Sequence, residues 1–340
     1  MIVVRPAKMQ DLKWLYALAG KAKVGLTTLP KDRAILRGRI LKSMKSFAAN
    51  PKKPGNYTYF FVMEDLKKKK VVGTASVVAK VGVKEPFYTY QLKIAKTYSR
   101  LLKVKKTIPY VVLKIIRNGP SEVGTLFLDP AYRHSGNGKL LSFSRYLFMA
   151  QYPRYFQKEV IAELRGVIHK NEHSPFWDAL GKHFFEVEFK KADLMVMHDK
   201  SFIADLMPKH PIYLPLLPPP VQEIIGQVHP ETLPALSLLK NQGFKVIDEI
   251  DIFEAGPVLK IKLKDIKTAR QSRLARVRKI VRQDTGKKFY LIANAESFSR
   301  YKVISAPMRV LKKGQVVLTK EAALALNVTV GSRVRYVPSL

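Results

Sequence analysis

A chain of 340 residues suggests about two domains at roughly 100 to 200 residues each, with a core large enough to fold unaided. Hydrophobic residues make up 47% and charged residues 26%, an ordinary globular balance that excludes a disordered or low-complexity chain. The charge is anomalous: 61 Lys and Arg face 26 Asp and Glu, a formal net +35, so the long-range field attracts anions such as nucleic acid, an anionic lipid surface or a phosphorylated small molecule.

Cysteine is absent, which excludes disulfides, thiolate metal sites and a cysteine nucleophile. Residues 1–20 are interrupted by Arg5, Lys8, Asp11 and Lys13, and no run elsewhere reaches membrane-spanning length. A cytoplasmic protein without a membrane segment is the expectation.

In chain order, residues 1–4 read as a short strand closed by Arg5-Pro6, and Leu12, Leu15, Tyr16 and Ala19 follow Asp11 at helical spacing. Residues 57–63 and 71–83 are aromatic and β-branched around a polar stretch, which predicts a hairpin. At its tip, the run Lys67 to Lys70 is more simply a solvated charge cluster than a nucleic-acid contact. Residues 124–129 alternate into a strand stopped by Pro130; Arg133, Gly136 and Gly138 punctuate a loop, and Leu140, Leu147 and Phe148 mark a helical face.

Residues 160–165 predict the next strand, with Glu163 and Arg165 sharing a face. Ser174-Pro175 caps and opens a helix through Leu180 that ends near Gly181. Residues 214–220 are proline-rich and stiff. Thr232 caps a helix over 234–242, which stops at Gly243-Phe244 before an alternating strand over 246–253. Ile266, Ala269, Val277 and Ile280 share one helical face and predict a helix within 264–282, with Arg270, Arg273, Arg276, Arg278 and Lys279 solvated. Strand-like runs at 289–293, 302–305, 316–318 and 333–337, with a short helix over 320–326, predict a small β-rich terminal domain.

Arg133-His134-Ser135-Gly136-Asn137-Gly138 has the form R-x-x-G-x-G directly after a strand. As a string it is weak; its strand-to-helix setting gives it meaning. Amides at a helix N-terminus, approached closely because glycine lacks a side chain, form a cradle for a pyrophosphate. The Lys-Ser/Thr ending of a nucleoside-triphosphate loop is missing, and the strand-Pro-x-x-Arg lead-in does not suit a dinucleotide fold.

Residues 126–138 resemble the acyl-CoA-binding motif of the GNAT N-acyltransferases. The opening Val4-Arg5-Pro6-Ala7, the hairpin ending in Val72-Gly73-Thr74-Ala75 and the late helix with Gly243-Phe244 sit where that fold would have them. The whole chain is similar to the bacterial arginine N-succinyltransferase family, on segments that include 25–30, 125–130, 165–168, 174–177, 207–213 and 225–230. The resemblance implies an α+β fold, with a GNAT-like acyl-CoA N-acyltransferase core over 1–256 and a helix plus small β-barrel-like domain over 257–340. It implies transfer of succinyl from succinyl-CoA to the α-amine of L-arginine, the first step of arginine catabolism by the succinyl route, with no metal. It assigns succinyl-CoA binding to Leu126 and proton donation to His229.

Those roles are chemically apt, because a thiolate leaving group of pKa about 8.5 matches an imidazole near neutrality. Arg133, Gly136 and Gly138 complete the expected cofactor cradle. Glu163 is a candidate partner for the acceptor's guanidinium or amine, and Arg165 or Lys209 for a carboxylate; an ordinary ion pair is the alternative for each. His210 is a second candidate imidazole, and Thr27 and Thr28 are candidates for the amino-acid pocket. Two other readings stay open: a different acceptor such as ornithine, or a basic nucleic-acid-binding protein on an inactive scaffold, a partner that the scattered cations do not favour. The resemblance also leaves open a homo-oligomer or a hetero-oligomer with a related subunit.

Overall fold

The apolar opening of the chain becomes β1 (Ile2–Pro6), and the helical spacing that follows becomes α1 (Leu12–Ala19). The structure is a computed structural model that describes residues 1–22, 29–169, 172–197, 199–282 and 285–339. A second helix, α2 (Arg33–Ala48), opens where the Asp32 carboxylate accepts from the N–H of Ile35. The predicted hairpin is β2 (Thr58–Asp65) with β3 (Lys70–Val78).

A second, longer hairpin follows, β4 (Phe87–Ser99) with β5 (Val104–Ile116), paired residue by residue from Phe87↔Ile116 to Ser99↔Val104. Sequence patterning does not disclose it, because its outer half is exposed on both faces and carries no inside-outside alternation. β6 (Ser121–Leu128) leads through the bend into α3 (Asn137–Gln151), and β7 (Glu159–Glu163) follows. β8 (Ile212–Tyr213) is a two-residue strand on β5. β9 (Lys245–Ile250) and β10 (Pro257–Lys262) pair with one another, and β10 pairs with β7.

The last strands are β11 (Arg273–Val281), β12 (Phe289–Asn294), β13 (Val303–Pro307), β14 (Arg309–Leu311), β15 (Gln315–Thr319) and β16 (Arg333–Pro338). Among the described residues one sheet runs β14-β15-β11-β16-β12-β13-β1-β2-β3-β6-β7-β10-β9-β4-β5-β8. The C-terminal strands therefore join the main sheet through β13 and β1. They also pack a core of their own, including Val277, Ile292, Ile304, Val316 and Leu326.

Two expectations need correction. The helix expected within 264–282 is only Lys267–Gln271, and the rest is β11. Ala275 and Val277 point inward while Arg276 and Arg278 point out, a period of two that pairing with β15 and β16 enforces over the helical pattern. The helix opened by Ser174 does not stop at Gly181: it passes through a π turn, Trp177–Gly181, and continues as Lys182–Phe185.

α3 is buried almost all round, since the sheet lies on one side and the C-terminal unit on another. Phe148 makes edge contacts with Phe61 and Tyr301 at 5.1 and 4.9 Å between centroids, each such pair adding about 0.5–1.5 kcal/mol beyond burial. The Tyr301 hydroxyl donates to the Ser144 carbonyl, and Arg335 Nε to Gln151 Oε1. The helix that opens at the glycine bend is thus held on two sides.

Candidate active site

β6 and β7 run parallel but pair only at Ser121↔Val160 and Glu122↔Ile161. Beyond those two positions the strands part. The gap opens into a cavity of about 1200 Å³ bounded by residues 122–128 of β6, the 133–139 bend and residues 162–165.

β6 carries a bulge at the gap. Gly124 faces Ser76 and Phe127 faces Thr74, so Thr125 and Leu126 together stand opposite Ala75. Thr125 takes φ +49°, a strained conformation for a β-branched residue. Two buried hydroxyls of β3 hold it there: Thr74 Oγ1 donates to the Thr125 carbonyl and Ser76 Oγ to Thr125 Oγ1, both at 2.9 Å. Leu126, expected to contact the thioester carrier, lines the cavity immediately after this kink.

The bend is built as its glycines require. Ser135 and Gly136 take φ +52° and +76°, and a Cβ added at Gly136 or Gly138 would meet nothing within 4 Å, so both face open space. Asn137 Nδ2 donates to the Tyr132 carbonyl and Arg133 Nε to the Leu128 carbonyl, tying the bend to the strand before it. The first N–H groups of α3, which have no intrahelical acceptors, lie at the cavity's edge.

The opposite wall is acidic. Glu85, Glu122, Glu163, Asp193, Glu231, Asp251 and Glu254 line the cavity, seven of the chain's 26 acids, in a lining that also holds eight Lys and Arg. Burial raises Glu163 well above the usual carboxylate range, and Asp251 and Glu122 push it further. Burial, then Asp251, lifts Asp193 to about 7 against the pull of Arg165. Glu254 is likewise raised by burial and by Asp251 and Asp193, although Gly166 N–H donates to it at 2.9 Å. Glu163 Oε1 and Arg165 Nε are buried without hydrogen-bond partners. The raised acids Glu163, Asp193, Asp251 and Glu254 form one cluster in the wall, where a cationic group could be received.

His229 does not itself line the cavity. Its N–H donates to the Arg165 carbonyl at 2.9 Å, and its Nδ1 accepts from Glu231 N–H at 3.1 Å, which in the neutral ring leaves the proton on Nε2. Glu231 and Thr232, which follow it, line the cavity. The cavity thus joins the glycine bend to the turn that carries the imidazole.

The other sequence candidates divide. Glu163 and Arg165 lie in the cavity wall. Lys209 and His210 are exposed and do not line it: Met207 is the buried anchor of that segment, accepting from the Tyr90 hydroxyl, and the two polar residues turn outward. Thr27 and Thr28 fall outside the described residues. Sequence reasoning missed Glu122, Asp193, Asp251 and Glu254, which come from three separate segments, only the last two from one turn. It also missed Arg145, 2% exposed on α3, which lines the cavity and donates to the Gly124 carbonyl behind the bulge. Its only signal was the one charge within the largely apolar run 140–149.

A family profile described as arginine N-succinyltransferase beta subunit matches residues 2–268, and one for that subunit's C-terminal domain matches 273–338. The chain belongs to the arginine N-succinyltransferase family. It is 38% identical over 346 residues to an arginine N-succinyltransferase of Yersinia pestis, and 39% identical over 338 residues to one of Escherichia coli, covering 99% of this chain and 97% of each relative. A solved structure of the arginine/ornithine succinyltransferase subunit AI from Pseudomonas aeruginosa superposes with a TM-score of 0.90 at 34% identity, covering 100% of this chain and 99% of that one. The α+β fold expected from sequence is therefore present, and the chain is an acyltransferase of this family. No helix among the described residues is long and apolar enough to cross a membrane.

Proposed function

We infer that this chain transfers the succinyl group of succinyl-CoA to the α-amine of L-arginine. One observation carries the acceptor assignment: a cavity rich in buried carboxylates in a strongly basic protein, continuous with a glycine bend suited to a diphosphate. Arginine brings two cations to that wall, its guanidinium and its amine, and Glu163 is the partner with an unsatisfied oxygen.

In this reading the bend and the first turn of α3 hold the donor's phosphates, and the gap between β6 and β7 receives its pantetheine arm. The bulge at Thr125 and Leu126 sets a main-chain donor beside the thioester carbonyl, where negative charge develops as the amine attacks. Arg145, fixed behind Gly124, adds positive potential to the same place. Arg165 takes a carboxylate, and the buried acids accept the proton that the ammonium must lose before it can act as a nucleophile. His229 supplies the proton to the departing thiolate; with Nδ1 held by Glu231 N–H, it is Nε2 that turns to the sulfur.

Ornithine remains a second acceptor in this proposal, favoured by the arginine/ornithine activity in the description of the Pseudomonas structure. A free-thiol release assay with succinyl-CoA against a panel of amino acids tests both. Arginine giving the highest kcat/KM supports the reading, and ornithine exceeding it would transfer the assignment to that acceptor. Release with neither would reject it.

We also propose that the chain divides into two units. The strand pairing favours a boundary nearer Ser272 than Pro257, because β10 pairs with β7 and β9 whereas β11 pairs with β15 and β16.

A further inference from the structure

The helix Leu233–Asn241 connects two different environments. Pro234, Ala235, Ser237, Leu238 and Leu239 border the cavity described above, while Lys240 and the turn after it border a second hollow of about 460 Å³. The two hollows share no residue. They meet along the helix, however, where Leu239 borders the first and the next residue, Lys240, the second.

The second hollow is lined by Lys240, Lys245, Lys260, Lys262, Lys267 and Arg270, with Asp265 as its one acid. Lys245 and Lys260 are direct cross-strand partners of β9 and β10, an apposition of like charges that disfavours the bare sheet. Lys260 has one ion pair, with Glu159 at 3.4 Å; among the described residues the other five cations have none.

A separate observation also points to an anion. Gln242, 1% exposed, belongs to the same lining. Its Oε1 accepts from Thr268 N–H at 2.8 Å, which fixes the orientation of the amide and makes the other end a donor. That donor, Nε2, is buried with no acceptor. A buried donor left unsatisfied beneath a ring of cations is the arrangement that an anionic acceptor completes.

We propose that this hollow is a binding site for a small multivalent phosphate compound, a polyphosphate or the phosphate tail of a nucleotide, separate from the acyl donor's cradle. The cations come from three segments, the helix end, β9-β10 and the Lys267–Gln271 helix, a spread that suits a chain of two or three phosphates. Ammonium groups on flexible stems suit such a ligand as point charges, without the fixed geometry that a base or sugar would need. The proposal does not depend on which amine the transferase acylates.

The test is calorimetric titration of the full chain with inorganic tripolyphosphate, ATP and orthophosphate at 150 mM salt, with and without saturating CoA. The expected result is one tripolyphosphate per chain, orthophosphate at least tenfold weaker, and binding that survives CoA. ATP equal to tripolyphosphate would identify the phosphate tail as the recognised part, and tighter ATP would extend the site to the nucleoside. Lys245→Gln with Lys260→Gln should weaken tripolyphosphate at least tenfold, whereas Lys105→Gln with Lys106→Gln on the exposed hairpin should change it less than twofold. Because the first pair removes a like-charge contact, its thermal midpoint without ligand should not fall, and tripolyphosphate should raise the midpoint of the parent chain alone. Displacement by CoA, equal weakening by both double variants, or no heat of binding would overturn the proposal.

Discussion

The main-chain N–H of His229 donates to the carbonyl of Arg165 at 2.9 Å, so the turn that bears the imidazole is fastened to the segment that supplies the acidic wall. A displacement at one side is felt at the other. The two groups assigned to opposite ends of the reaction, proton donor and acceptor pocket, are thereby set in one frame across the Pro230–Thr232 turn.

His229→Ala is expected to lower kcat by about 10²- to 10⁴-fold while leaving succinyl-CoA affinity within a few-fold. Loss of the imidazole also removes the acceptor for Glu231 N–H, a cap worth about 1 kcal/mol, so a small fall in thermal midpoint should accompany it. Steady-state kinetics beside a binding titration separates the effects. Unchanged turnover would remove His229 from the chemistry.

Gly136→Val places a branched side chain in open space at the mouth of the cradle, at a residue with φ +76°. Two costs combine there: the left-handed backbone, about 1 kcal/mol or more for such a residue, and a side chain where a diphosphate would approach. CoA affinity should fall by at least a hundredfold. Gly136→Asn, which tolerates the left-handed region, should retain more stability yet still weaken CoA. Retained CoA binding by both variants would count against the bend as the phosphate site.

Asp193 gives a pH signature. Burial and Asp251 raise it to about 7 in the folded chain, against an ordinary aspartate value near 4 when unfolded. A carboxyl raised in this way contributes stability that is fully present below the unfolded value and is lost as pH rises through about 7. Asp193→Asn should therefore be more stable than the parent at pH 8, by about 1–2 kcal/mol, with the difference vanishing near pH 4. Arginine binding without donor should behave oppositely in the parent, tightening from pH 6 to 8 as the cavity gains negative charge, and Asp193→Asn should flatten that rise. Chemical denaturation and calorimetry at three pH values read both slopes; parallel slopes in parent and variant would show that Asp193 does not titrate here.

Much of the site was legible in order along the chain. The strand, proline, Arg133 and paired glycines before α3 form a local motif, because a diphosphate cradle is made from one short stretch of backbone whose requirements are written in consecutive residues. Glu163 and Arg165 were read together as alternate residues of one strand; β7 ends at Glu163, and Arg165 reaches the cavity wall from just beyond it. Lys209 and His210 looked equally plausible and proved to be exposed, since composition cannot say which side of a segment the buried Met207 forces outward.

What the residues alone determined is the class of element at most positions, the glycine bend before α3, and, through resemblance, the family. What only the tertiary structure decided is the content of the acceptor wall. Glu122, Asp193, Asp251 and Glu254 lie on a strand, an inserted helix and the turn after β9, and only folding brings them into one cavity, where burial raises their proton affinity and neighbouring acids add to it at Asp193 and Glu254. The same reason explains β11, whose arginine-rich sequence has helical spacing until β15 and β16 supply hydrogen-bond partners on both edges. Local spacing sets what a segment can become; partners distant in the chain select what it is.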